Sequence, residues 1–143
     1  MKLSANLGLL WSELPLLERV YKAKEKNFDA VEFQFPYEVD ANELKKAIDK
    51  INLPIIGINT IKGNVSKGDN GLNAVPSRVQ EARSAIDQAI EYAKVIGSKN
   101  IHFMCGITEQ NHNSLKTLVE NLQYAVSQPV SYTHLRAHET LIY

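Results

Sequence analysis

The chain has 143 residues, 44% of them hydrophobic, the size and composition of one domain with a substantial core. Lys+Arg and Asp+Glu both total 16, so no global charge bias points to nucleic acid, an acidic membrane surface or an anionic polymer, and any partner must be recognised locally. A lone cysteine, Cys105, excludes an internal disulfide, the amino terminus lacks a secretion-signal pattern, and no apolar run reaches the roughly 20 residues of a membrane-spanning helix; the expected location is cytoplasmic.

Leu3 and Ala5 alternate with polar neighbours before a turn at Gly8, which predicts a short first strand with Asn6 at its carboxyl end. Between Leu14 and Asn27, Leu16, Leu17, Val20 and Tyr21 recur at helical spacing, and Pro15 is compatible because it falls in the first turn. Asp29 to Phe35 reads as a second strand containing Glu32 and ended by Pro36. Asp40 and Glu43 resemble a capping box ahead of a helix with Leu44, Ala47, Ile48 and Ile51 on one face. Pro54 to Asn59 is nearly all apolar, as in a strand buried on both sides of a parallel sheet.

The stretch from Asn59 to Arg78 is far longer than the roughly 2–6 residues that usually join a strand to a helix in α/β units. Gly63, Gly68 and Gly71 permit positive φ, while Leu72, Val75 and Pro76 can pack, a mixture that favours an ordered binding loop over a solvated insertion. Ser77 and Gln80 form a second capping box, and Ala82, Ile86, Ala89, Ile90, Ala93 and Ile96 keep helical period until Gly97. Asn100 to Gly106 reads as a fourth strand, and Leu115, Leu118, Val119, Leu122 and Val126 trace the apolar face of a fourth helix. Strict β-α alternation implies a parallel sheet with right-handed crossovers, built either as an open doubly wound layer or as part of a closed (β/α) barrel. Periodicity does not choose between them.

After Gln128 the pattern stops. Val130 to His134 is the translation of GTC TCT TAT ACA CAT, part of a transposase-type sequencing adapter, and the match continues through Thr140. The expected organisation is therefore a native α/β part over residues 1–128 and a non-native, adapter-derived tail over 129–143. His134 and His138 have the spacing of a zinc-binding helix, but nothing nearby completes a site, and His102 and His112 are too scattered for a metal cluster.

Taken together, Ser4-Ala-Asn-Leu7, Val31-Glu-Phe-Gln-Phe-Pro-Tyr37, Asn59, Gly68-Asp-Asn-Gly71, Pro76-Ser-Arg78 and Leu118-Val-Glu-Asn-Leu122 resemble the amino-terminal half of the hydroxypyruvate isomerase family, over residues 2 to about 127. The resemblance implies a xylose isomerase-like TIM (β/α)8 barrel, of which four βα units are present where a full barrel takes about 250 residues. It also marks departures: the family pattern has Gly-Asp-Trp where this chain has Gly63-Asn64-Val65, and Gly-Arg-Glu where it has Ser77-Arg78-Val79.

The implied activity is isomerisation of hydroxypyruvate and tartronate semialdehyde by proton transfer through an enediolate. In the family this uses two glutamates on later strands, around a divalent cation such as Mg or Mn; both glutamates would lie beyond Gln128, so no catalytic residue and no cofactor is assigned to this chain. Barrel enzymes place reacting groups at the carboxyl ends of strands, which makes Asn6, Glu32, Asn59 and His102 the substrate-binding candidates, with Arg78 as a carboxylate ligand or a tie between loop and helix. Glu32 reads equally as a structural carboxylate of the barrel interior, and Trp11 and Phe35 as packing residues or as covers of the site mouth. Alternatives are a sugar epimerase or other oxo-acid isomerase of the same superfamily, and a non-catalytic α/β binding domain. Exposed barrel edges predict self-association.

Overall fold

The first two strands bury alternate residues, whereas the third buries Ile55 and Ile58 with two half-buried residues between them. Ala5, Val31, Ile55 and Ile58 are buried, whereas Ser4, Asn6, Ala30, Glu32 and Asn59 are half-buried. The computed structural model describes residues 1–128 and the backbone of Leu135–Arg136, with elements β1 (Ser4–Asn6), α1 (Leu16–Glu25), β2 (Ala30–Glu32), α2 (Ala41–Ile51), β3 (Ile55–Asn59), α3 (Val79–Ile96), β4 (Ile101–His102), α4 (His112–Ser127) and β5 (Leu135–Arg136). Strand order in the sheet follows chain order, and β1, β2 and β3 pair in parallel. The four predicted βα units are all present.

By contacts the chain divides into two compact units, one made of Met1–Asn59 with Glu91–Ile101, the other of Thr60–Ile90 with the chain from His102 onward. In the first unit, α1 buries Leu16, Val20 and Ala23 and α2 buries Leu44, Ala47 and Ile48, the stripes expected of amphipathic helices over a sheet. Asp40 caps α2: its Oδ1 accepts from the Asn42 and Glu43 amides at 3.0 and 3.1 Å. In the second unit, Ala82, Ala85, Ile86 and Ala89 of α3 are buried.

Two strands are shorter than predicted. The register of β2 against β3 slips after Val31, which pairs with Ile55 while Glu32 pairs with Gly57, so regular β2 stops at Glu32 rather than Phe35. Single bonds continue beyond it, Phe33 N to Gly57 O at 3.0 Å and Asn59 N to Gln34 O at 3.0 Å. β4 ends at His102 because Met104 and Cys105 give their carbonyls to the long loop instead.

Ser77 does not cap α3. A 3-10 turn, Pro76–Arg78, leads directly into the helix, with no side-chain cap on its first amides. Proline at that position has no N–H to satisfy, so the turn needs less from a hydroxyl. Asn111, unremarked in the sequence, does cap α4, accepting from the Ser114 amide at 3.0 Å.

The predicted apolar face of α4 is mostly outside. Leu115, Val119 and Val126 are 55%, 43% and 68% exposed, while Ser114, Thr117, Leu118, Asn121 and Ala125 are buried. The strand at Leu135–Arg136 was not expected either; an unpaired sheet edge accepts an extended segment with little regard to its side chains. The remainder of the predicted tail, including His134 and His138, lies outside the described residues.

The two caps give opposite expectations in urea denaturation. Asp40→Ala lowers stability by about 1 kcal/mol, whereas Ser77→Ala stays within about 0.5 kcal/mol of the parent. Equal losses at both positions would contradict the helix starts described here.

Candidate functional site

In the first unit the carboxyl ends of three consecutive strands carry Asn6, Glu32 and Asn59. Asn6 and Glu32 face each other in register. Asn6 shapes the exit from β1: its Oδ1 accepts from the Gly8 amide at 3.0 Å, and its carbonyl accepts from the Leu9 and Leu10 amides at 3.1 and 3.0 Å. The Glu32 carboxylate, half-buried, makes no hydrogen bond or ion pair among the described residues. Asn59 closes β3, where its carbonyl accepts from the Tyr37 hydroxyl.

The loop after β1 is held by one arginine. Arg19 Nε donates to the Leu14 carbonyl at 2.6 Å, Nη1 to Leu7 at 3.0 Å and Nη2 to Ser12 at 2.9 Å, three main-chain oxygens fixed by one planar group. Within that loop Trp11 adopts φ 55° and packs edge-on against Phe28, with centroids 6.2 Å apart, so its contact is the packing reading of the two foreseen. A cavity of about 150 Å³ lies nearby, lined by Leu7, Arg19, Phe33, Gln34 and Glu38 among others. Asn6, Glu32 and Asn59 do not themselves line it, but Leu7, Gly8, Phe33 and Gln34 beside them do.

In the second unit the long loop is docked by its own backbone. The amides of Leu72 and Asn73 donate to the Met104 carbonyl, each at 3.1 Å, and that of Ala74 to Cys105 at 2.8 Å. The approach is so close that a Cβ on Gly71, whose φ is 116°, would sit 2.5 Å from the Met104 oxygen and 2.7 Å from the Gly106 nitrogen. Behind it lies a buried polar network. Asn73 Nδ2 donates to Thr60 Oγ1 at 3.2 Å and to the Met104 carbonyl at 2.9 Å, Thr60 Oγ1 accepts from the Met104 amide at 3.0 Å, and Asn121 Nδ2 donates to the Asn73 carbonyl at 2.9 Å. His102, half-buried at the end of β4, accepts the Thr60 amide on its carbonyl at 2.9 Å.

Arg78 ties loop to helix. Its Nη1 meets Asp69 Oδ2 at 2.6 Å, while Nε and Nη2 reach the two oxygens of Glu81 at 2.9 and 2.7 Å. Asp69 Oδ2 also accepts from the Asn64 amide at 2.6 Å, closing the exposed tip around Asn64–Gly68. The hydrogen bond from Arg78, then that from the Asn64 amide, hold the Asp69 carboxyl below its ordinary value; Glu81 is lowered by the same guanidinium, and Arg78 is raised in return.

The structure thus brings Asn6, Glu32 and Asn59 to the carboxyl ends of adjacent strands and places Arg78 and His102 in the second unit. Among the described residues no three His, Cys, Asp or Glu side chains converge as a metal would require, so these residues do not by themselves fit the divalent cation implied by the resemblance. Tyr37, Tyr92, Thr60, Asn73 and Asn121 were missed as candidates. Asn121 carried a signal, since helical spacing places it on the face of Leu118 and Ala125; Asn73, in an aperiodic loop, carried none.

Residues 20–131 match the family model for xylose isomerase-like TIM barrels. The chain belongs to the xylose isomerase-like TIM barrel family. Among curated members it is 36% identical over 127 residues to the 2-oxo-tetronate isomerase of Haemophilus influenzae, covering 87% of this chain and 49% of the relative. It is 37% identical over 130 residues to the hydroxypyruvate isomerase of Escherichia coli, covering 89% and 50%. A crystal structure from Brucella melitensis, described as an AP endonuclease of family 2, superposes with a TM-score of 0.81 at 36% identity, over 87% of this chain and 50% of that one. A D-allulose 3-epimerase from Methylomonas sp., at 12% identity and a TM-score of 0.65 over 87% and 46% of the two chains, shares the fold. The chain spans about half the length of the curated relatives it matches.

Gly71→Ala is expected to undock the loop, because backbone strain at positive φ alone costs about 1–3 kcal/mol and the clashing atoms are main chain; a thermal melt unchanged from the parent would contradict this. The Asp69 latch gives a pH test. Since its pKa is lowered on folding, its stabilisation is fully present above about pH 4 and is lost as pH falls through the lowered value. In an NMR titration the Asn64 amide should hold its shift down to about pH 4 and move only below it, and in Asp69→Asn it should not titrate with this residue at all.

Proposed function

We propose that this chain forms one wall of an isomerase site for a small 2-oxo acid, in which a proton moves between the two carbons beside the carboxylate. With hydroxypyruvate, a base takes a proton from C3, the C–H electron pair forms the C2–C3 double bond, and the π pair of the C2 carbonyl moves onto its oxygen, giving an enediolate. The C3 hydroxyl proton passes to the C2 oxygen, the C3 oxygen closes to the aldehyde carbonyl, and the C2–C3 π pair takes the proton back from the base at C2, giving tartronate semialdehyde. Such an intermediate carries charge on adjacent oxygens and needs donors aimed at them. Asn59 is the donor we assign to this wall and Glu32 the carboxylate that orients a substrate hydroxyl, with Asn6 shaping the turn beside them. Arg78, already bonded to Asp69 and Glu81, acts in this reading through the loop it ties down.

The observation that carries the reading is the polar set Asn6, Glu32 and Asn59 at the carboxyl ends of consecutive parallel strands, the end at which barrels of this kind do chemistry. Relatives named for a three-carbon and a four-carbon acid support a short 2-oxo acid as the substrate class. A nucleic-acid substrate, which the Brucella structure's description raises, would call for cationic groups to match phosphates, and the chain has equal numbers of acidic and basic residues.

The base and acid of the proton transfer we place in the barrel units that the relatives have and the described residues lack. Residues 129–143 we read as foreign to the barrel. The exposed stripe of Leu115, Val119 and Val126 supports self-association of the chain. No described helix is long and apolar enough to cross a membrane, and with a single cysteine we place the protein in the cytoplasm.

The purified chain of 143 residues, assayed for conversion of hydroxypyruvate to tartronate semialdehyde, should show no turnover while still binding hydroxypyruvate. Turnover by a purified monomer would show that the reacting groups lie within this chain after all. Light scattering should report a mass above the monomer's, reduced by Leu115→Lys with Val119→Lys.

A further inference from the structure

Two tyrosines are interlocked around the end of β3. Tyr37, in the loop after β2, donates its hydroxyl to the Asn59 carbonyl. Its ring stands edge-on to that of Tyr92, with centroids 5.2 Å apart and planes at 71°. Tyr92, on α3, sets its hydroxyl 2.9 Å from the Pro36 carbonyl and 2.8 Å from that of Val39, the two residues that bracket the Tyr37 loop. Both hydroxyls therefore end on main-chain oxygens, and what the pair fixes is backbone.

The consequence falls on Asn59. Its amide already donates to the Gln34 carbonyl at 3.0 Å, so with Tyr37 on its carbonyl both main-chain groups of the residue are held. A residue pinned on both sides has its Cα–Cβ direction set, and its side chain keeps only rotamer freedom. Burial, with the neighbouring Tyr92, pushes the Tyr37 phenol upward, and burial with Asp40 nearby raises Tyr92 to about 12, so both remain neutral donors around pH 7.

We propose that Tyr37 is a positioning residue for Asn59 and that Tyr92 holds Tyr37 in place, so that the pair sets the angle at which the Asn59 amide meets a small 2-oxo acid. This rests on the reading of Asn59 as part of the substrate wall. Neither phenol touches substrate; each acts through the peptide it holds.

The test uses the full chain carrying Tyr37→Phe or Tyr92→Phe, which keep the rings and remove only the donors, with exposed Tyr21→Phe as control. NMR follows amide exchange and the Asn59 side-chain resonances during titration with hydroxypyruvate. The expected result is about tenfold faster exchange at Asn59, unchanged exchange at Val31 and Ile58, and hydroxypyruvate binding weakened by about two- to tenfold, the range for losing one hydrogen bond. Tyr92→Phe should produce the same pattern more weakly, and Tyr21→Phe none of it.

Faster exchange spread evenly over Val31, Ile58 and Asn59 would overturn the proposal, because it would make the pair a general stabiliser. Unchanged hydroxypyruvate binding in Tyr37→Phe, with wild-type Asn59 responding to the ligand, would overturn the positioning role while leaving the wall intact. If wild-type Asn59 ignores hydroxypyruvate, the wall reading fails and the positioning role fails with it, whatever the exchange shows.

Discussion

The docking of the long loop onto the exit of β4 is the contact on which the second unit depends. Leu72, Asn73 and Ala74 take the carbonyls of Met104 and Cys105, bonds that a regular continuation of β4 would have used otherwise. Gly71 and Gly106 make the approach possible, because a side chain on either would meet the other's backbone. Thr60, Asn73 and Asn121 are then linked in the interior, Asn73 Nδ2 donating to Thr60 Oγ1 and Asn121 Nδ2 to the Asn73 carbonyl, while Asn73 Oδ1 is buried with no partner among the described residues. The segment is a built wall with an exposed tip, and Asp69 with Arg78 fastens that tip to the start of α3.

This division bears on function. Lids that gate active sites are drawn from parts of a fold with few buried contacts, and here only the tip around Asn64–Gly68 has that character. Asn64 and Val65, which stand where the family pattern has aspartate and tryptophan, fall on this tip. These two departures therefore sit in the part of the loop that can change without disturbing the core, whereas Ser77 and Val79, the other two, fall at the turn into α3 and on its first residue. In the first unit the three polar strand ends have separate duties: Asn6 forms a turn, Asn59 is fixed through its peptide, and Glu32 has a carboxylate with no partner of its own among the described residues.

Much of this was legible in the sequence, and the limits have physical causes. The order of the loop followed from three glycines interleaved with Leu72, Val75 and Pro76, and φ is indeed 88° at Gly63 and Gly68 and 116° at Gly71. Its docking partner was not legible, since pairing between residues thirty apart in sequence leaves no local pattern. The cap at Asp40 was legible because a carboxylate before a helix accepts its free amides. Ser77 offered the same signature, but Pro76 had already committed the chain to a 3-10 turn. For α4, periodicity found the apolar stripe and could not say which way it faces: Asn121 and Ser114 are buried because hydrogen-bond partners wait for them, and Leu115 and Val126 are left outside.

Hydrogen-deuterium exchange resolved along the loop tests the central claim most directly, because it reads whether Leu72–Ala74 belong to the folded wall or to a moving flap. The structure predicts that the amides of Leu72, Asn73 and Ala74 are protected to the level of the buried turns of α3, while Ser66 and Asn70 exchange rapidly. Rapid exchange throughout Thr60–Arg78, with α3 still protected, would contradict it and make the whole segment a free lid.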